Sequence, residues 1–264
     1  MWETWNLPVW AAWLLPLAAG LAIAPLLMRL AVWLPWRMQC EWAWMAQDWL
    51  SEQAAQDTRE ENMPQACPGV TDDTEARQMP PLAAVPLPSR VVCRLLWLAA
   101  VALAGLCAWR FGLTWGGLAV LACCWVLLLL AVIDAREMLL PDSLTLPLLW
   151  AGLLFNLASA WVPLPQVVLG AVAGYLCLWL LFHGFRLATG REGMGHGDFK
   201  LLAALGAWVG LAALPQLILI AAVSGLAYGL WLVAVRRAGM RTAQPFGIHL
   251  AWAGVAVMLW MGAP

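Results

Sequence analysis

Apolar residues in this chain do not alternate with polar ones; they come in long runs. The first extends from Val9 to Leu34 and is interrupted by Arg29. Beyond Arg90 further runs follow in quick succession, and the pattern predicts spans at about 91–111, 114–133, 143–161, 165–188, 199–214, 215–235 and 245–262. Several reach the roughly 18–20 apolar residues that cross a bilayer. Inside lipid every backbone polar group must be satisfied within the segment, so such spans are helices. The even alternation of barrel strands is missing. The pattern therefore predicts an all-α polytopic membrane protein of about eight transmembrane helices with one long cytoplasmic loop. The span from Phe199 is short and glycine-interrupted, so it is expected to tilt or to insert only in part. The organisation read from these runs is a first span at 1–35, an acidic loop at 36–90 and a seven-helix core at 91–264. The first run is too long and too richly flanked for a cleaved leader, so it is expected to stay.

Between the first run and the core the character changes. Residues 36–50 place Trp42, Trp44 and Trp49 among charges, as a short interfacial helix would. Residues 51–89 are acidic, polar and proline-rich, which predicts a solvated loop. Composition agrees with the membrane reading: 64% of residues are hydrophobic and only 11% charged, far from the balance of a soluble domain. A net charge of −1 gives no electrostatic footprint for nucleic acid. Most of the seven cysteines fall inside apolar runs, where they act as small hydrophobes, and no CxxC occurs. Tryptophans gather toward span ends, as interfacial anchors do. Basic residues near the span ends set the orientation. With the N-terminus outside, Arg37, Arg90, Arg136, Arg191, Arg236, Arg237 and Arg241 all fall inside. The connectors 134–142 and 189–198 then share the cytoplasmic side.

Outside the acidic loop the acids are few: Glu3, Asp134, Glu137, Asp142, Glu192 and Asp198. Asp134 directly follows the run 127–133, and Asp198 stands between a glycine-rich hinge and Phe199. Ionisable groups at membrane depth are costly, and each needs a partner or a purpose. Two carboxyls brought together share a proton, so one can activate water while the other protonates a carbonyl oxygen. Gly193, Gly195 and Gly197 would let an extended peptide come close. The alternative from the residues alone is that these aspartates cap helices or pair with Arg136 and Lys200. Asp142 or Ser143 suits a helix N-cap after Pro141. Glu137 and Glu192 are read as solvent-facing, His196 as a variable turn residue, and His183 and His249 as interfacial. No metal-ligand spacing and no Ser-His nucleophile arrangement is present.

At these residues the sequence resembles the prepilin peptidases, membrane aspartyl proteases of the GxGD type. Gly195-His196-Gly197-Asp198 matches the signature, and the flanks 191–193 and 199–208 are similar to its continuation. The segment from Ile133-Asp134 through Leu140-Pro141-Asp142-Ser143 to Pro147 resembles the family's other aspartate motif, and Pro245-Phe246-Gly247 a later turn. The resemblance covers Arg90 to the C-terminus. It implies removal of the leader peptide from type IV prepilins or type II secretion pseudopilins, with Asp134 and Asp198 as the catalytic pair. Gly195, Gly197, Asp142 and Lys200 are the supporting or substrate-binding residues; Asp142 belongs to the same motif as Asp134 and is the alternative first acid. It further implies pilin or pseudopilin precursors and the secretion or pilus machinery as partners, the bacterial inner membrane as location and an active site facing the cytoplasm. Many members also methylate the new N-terminus, with S-adenosylmethionine as the cofactor. The N-terminal stretch 20–28 departs from the family's GSFLN pattern. The loop keeps only Cys40 and Cys67 where many relatives carry two zinc-binding CxxC pairs, so no zinc is expected. Two readings from other classes stand beside this one: an ion- or proton-coupled transporter using buried aspartates, and a non-catalytic scaffold docking through its acidic loop.

Overall fold

The computed structural model describes residues 9–60, 90–190, 195–235 and 244–262. These form eight α-helices: α1 (Val9–Glu60), α2 (Arg90–Phe111), α3 (Trp115–Glu137), α4 (Asp142–Ser159), α5 (Leu164–Thr189), α6 (His196–Val209), α7 (Leu214–Ala234) and α8 (Gly247–Met261). A 3₁₀ turn, Leu211–Ala213, joins α6 to α7. No strand occurs among the described residues. Among the described residues five segments are long and apolar enough to cross a membrane: Leu14–Met38, Val91–Phe111, Trp115–Glu137, Leu164–Thr189 and Leu211–Ala234. The protein is thus all-α and polytopic, with α4, α6 and α8 as shorter or more polar helices among the spanning ones.

The first helix differs from the sequence pattern. It passes through Pro16, Pro25 and Pro35 and continues to Glu60, whereas a break at Trp36 and a loop from Ser51 were expected. Each proline removes one backbone hydrogen bond, a loss that membrane helices tolerate. Residues 51–60 contain no glycine or proline and are mostly good helix formers; the prolines that mark the loop begin at Pro64. The acids and Cys67 of 61–89, residues 191–194 and the arginines of 236–243 lie outside the described residues, as does the side chain of Cys40.

α6 is the hub. Eleven of its fourteen residues, Asp198, Phe199 and Leu201 through Val209, are buried, and it packs on α4, α5 and α8. A helix apolar all round belongs in an interior, and this one is enclosed by its neighbours. Close approach makes that possible. A Cβ on Gly206 would strike the Gly170 carbonyl, one on Gly170 would stand 2.6 Å from the Gly206 carbonyl oxygen, and one on Gly174 would stand 2.7 Å from that of Leu202. Small residues let membrane helices meet backbone to backbone in this way. On the other side Gly152 of α4 makes room for the Trp208 indole, whose Nε1 donates to the Leu148 carbonyl at 3.0 Å.

One buried polar side chain fixes the far end of α6. Asn156 Nδ2 donates to the carbonyls of Gly152, Ala207 and Trp208 at 3.0–3.2 Å, and its Oδ1 accepts from the Val162 amide at 3.0 Å. Cys107, Cys123 and Cys124 are buried among apolar side chains, as small hydrophobes would be, while Cys177 is exposed on α5. Replacing Asn156 with leucine leaves the Val162 amide and the helix-end carbonyls without this partner. Each unsatisfied buried group costs about 1–3 kcal/mol, so Asn156→Leu is expected to lower the apparent melting midpoint in detergent clearly, whereas Asn156→Gln should retain part of the loss; circular-dichroism melts of the three proteins check this.

Candidate functional site

The two aspartates arrive at one end of the bundle from different helices. Asp134 closes the last full turn of α3, and its backbone carbonyl accepts from the Met138 amide at 3.0 Å, where the chain turns left-handed (φ 51°) and leaves the helix. Asp198 lies in the first turn of α6, three residues after the N-cap Gly195. Both are buried, at 4% and 5% exposure. The chain therefore brings together the two acids that the sequence reading paired.

Each carboxyl has a defined backbone partner. Asp134 Oδ2 accepts from the Ile248 amide at 3.1 Å, with the Gly247 amide beside it. These are the first amides of α8, and a helix N-terminus stabilises an acceptor placed on its free N–H groups. Gly247 is required for that approach: a Cβ there would stand 2.8 Å from Asp134 Oδ2. Asp198 reaches back to the Gly195 amide, as a carboxylate at this helix position does in a capping box. The helix-cap alternative is therefore part of the geometry and is compatible with a second role. Asp198 lies outside the five spanning segments. Burial, and next the neighbouring Asp134 carboxyl, push its pKa up to about 7, against the smaller lowering by the Gly195 amide.

The other expected residues surround this pair. Asp142 is the first residue of α4, with Pro141 rather than Asp142 or Ser143 at the N-cap. Its side chain is 54% exposed and takes Lys200 Nζ on both oxygens, at 2.7 and 2.6 Å. Asp142 is thus held away from the buried pair by a lysine of α6. Gly195 has open space around it, since an added Cβ would meet only Asp198 Oδ2, at 3.9 Å. Gly197 packs closely on Leu140. His196 is exposed and its ring lies 5.0 Å from that of Phe182.

A cavity of about 590 Å³ opens beside the pair. Arg37 and Glu41 of α1 line one wall, where they form an ion pair of 2.7 Å; the connector 138–140, Asp142, Lys200 and Gly195–Gly197 line the others. Sequence reasoning missed the contribution of α1 and the role of the α8 amides. The Pro245-Phe246-Gly247 turn before the last apolar run was the available signal for the latter, but spacing gives no hint of which carboxyl it faces. Among the described residues no cluster of three or more His, Cys, Asp or Glu is positioned to hold a metal.

An all-α membrane protein with two buried carboxyls at one end of its bundle defines a class, polytopic proteins with a paired-aspartate centre. Within that class residues 121–230 match the type IV leader peptidase family. The matched segment holds Asp134, Asp142, Asp198 and Lys200. Among curated relatives, proteins named prepilin leader peptidase/N-methyltransferase are 55% identical over 146 residues in Aeromonas salmonicida (strain A449) and 56% identical over 156 residues in Dickeya chrysanthemi. A third, from Pectobacterium carotovorum subsp. carotovorum, is 46% identical over 185 residues. These alignments cover 55%, 58% and 70% of this chain, and 50%, 55% and 61% of the respective relatives. The aligned part thus spans about half to three-fifths of the relatives' length. No solved structure matches the chain. Nothing in the comparisons supports the transporter reading.

The environment of Asp198 makes a stability prediction with a definite sign. Its carboxyl is raised to about 7 in the fold from 3.8. The stability it contributes is therefore full below pH 3.8 and is lost as pH rises through about 7. Asp198→Asn cannot ionise and escapes that loss. Its melting midpoint is expected to exceed that of the unmodified protein at pH 8, with a smaller difference at pH 5; equal differences at both pH values would show that Asp198 is not buried as described.

Proposed function

We propose that this protein is a membrane aspartyl endopeptidase that removes the leader peptide from type IV prepilins or type II secretion pseudopilins. The observation that carries this reading is the burial of Asp134 and Asp198 side by side at one end of the bundle. The family match and the names of the relatives support the same activity.

In this reading Asp134 is the base and Asp198 the acid. Asp134, with its Oδ2 fixed by the Ile248 amide, takes a proton from water as the water attacks the scissile carbonyl carbon. Asp198, protonated below about pH 7, gives its proton to the carbonyl oxygen. Collapse of the tetrahedral intermediate then breaks the C–N bond: Asp134 passes the proton it took to the departing nitrogen, and the hydroxyl of the intermediate returns one to Asp198 as the carboxyl product forms. The peptide lies along Gly195–Gly197, where open space at Gly195 gives its backbone room. Asp142 and Lys200 act in support, fixing the start of α4 to the start of α6.

Orientation and partners belong to the same proposal. Arg37, Arg136 and Lys200 stand at the end that holds the aspartates. Arg110 stands at the other, its Nε donating to the Leu259 carbonyl near the end of α8. This asymmetry supports a cytoplasmic active site in a bacterial inner membrane, with 1–35 as the first span, 36–90 on the cytoplasmic side and 91–264 as the peptidase core. The precursors serve a pilus or a secretion system, whose machinery is the further partner, and meet the enzyme in the bilayer. N-methylation of the new terminus with S-adenosylmethionine is part of the proposal because the relatives' names include that activity; proteolysis through two carboxyls itself calls for no cofactor.

Incubating the purified protein in detergent with a pilin precursor and S-adenosylmethionine, followed by mass spectrometry, is expected to give a leader-free product carrying one added methyl group. Asp134→Asn and Asp198→Asn should each slow cleavage by at least about 10³-fold while membrane integration stays normal. Normal processing by either variant contradicts the pairing. Cleavage by the unmodified protein is expected to fall as pH rises past about 7, where Asp198 loses its proton.

A further inference from the structure

The charged cavity and the two carboxyls are neighbours, yet neither aspartate lines the cavity. Leu140 stands between them. It lines the cavity, is 8% exposed, and fills the gap between the start of α6 and the start of α8. A Cβ on Gly197 would lie 2.7 Å from Leu140 Cβ, and one on Gly247 would lie 3.0 Å from Leu140 Cδ1. Gly197 immediately precedes Asp198, and Gly247 immediately precedes the residue whose amide holds Asp134. One apolar side chain thus touches the backbone beside both carboxyls.

The segment that carries Leu140 is short and held at both ends. It comprises only 138–141, leaves α3 through the left-handed Met138, and enters α4 at Pro141. Its far side is tied by the Asp142–Lys200 ion pair. An ion pair this exposed adds little net stability, so the tie can open without disturbing the bundle.

We propose that Leu140 is an access-controlling residue, a plug between the charged cavity and the carboxyl pair, with Asp142–Lys200 as the latch that keeps it seated. Displacement of the connector admits water and peptide to Asp134 and Asp198, and its return excludes water between turnovers. This rests on the peptidase reading for its purpose, but the obstruction itself can be measured without any substrate.

The test uses the full-length protein in detergent at pH 6, a water-soluble carbodiimide and glycine ethyl ester. The carboxylic acid adds to the carbodiimide, and the amine then displaces the urea to leave an amide. Mass spectrometry of the peptides reports labelling of Asp198 against that of exposed Glu137. In the unmodified protein Asp198 should label at least tenfold more slowly than Glu137. Leu140→Ala should speed Asp198 labelling about tenfold or more, and Lys200→Gln, a partly exposed site that leaves the core untouched, should speed it severalfold. Unchanged Asp198 labelling in both variants, with helix content and melting midpoint retained, overturns the plug. So does equal labelling of Asp198 and Glu137 in the unmodified protein. Failure of the peptidase reading shows elsewhere, as absence of precursor cleavage by a protein whose labelling still follows this pattern.

Discussion

A carboxyl group at the end of a membrane helix must be supplied with hydrogen bonds by the protein, because lipid offers none. The amide of Ile248 on Asp134 meets that requirement, and much of the site follows from it. It ties the last turn of α3 to the first turn of α8 and requires glycine at 247. A helix N-terminus is one of the few places where an acidic oxygen can be buried in an apolar bundle without a cation. The single lysine of the sequence, Lys200, is used otherwise, on Asp142.

The second carboxyl depends on how α6 is enclosed. Backbone contact at Gly170, Gly174 and Gly206 lets α5 lie against α6, while Gly152 admits Trp208 from the other side. With its far end held by Asn156, α6 has little freedom to slide or rotate, and Asp198 is fixed at its first turn. The same enclosure that positions the acid also raises its pKa, so packing and proton affinity have one cause. A fold of this design gives up stability at neutral pH to keep a buried carboxyl that still holds a proton there.

The apolar runs after Arg90 were readable from the sequence because a membrane helix must be apolar over a known length, and their limits agree with the helices to within a few residues. The pairing of Asp134 with Asp198 was legible because both follow the same rule, an acid at the edge of an apolar run on one side of the membrane. The long α1 was not. Hydropathy reports where lipid ends and says nothing of whether the backbone stays helical beyond it, and Pro35 carries opposite meanings in water and in a membrane helix. Nor could spacing reveal that α8 offers its amides to Asp134, or that Leu140 fills the gap between two glycines 50 residues apart, since both are contacts between distant segments. The separate fates of Asp134 and Asp142, eight residues apart, turn on burial and on Lys200.

The central claim is that Asp134 and Asp198 form one interacting pair, and infrared titration of the protonated-carboxyl stretch tests it directly. The account predicts a band that disappears on raising the pH through about 7, is absent in Asp198→Asn, and titrates at lower pH in Asp134→Asn, where the neighbouring negative charge is gone. A band whose midpoint is the same with and without the Asp134 carboxyl would contradict it.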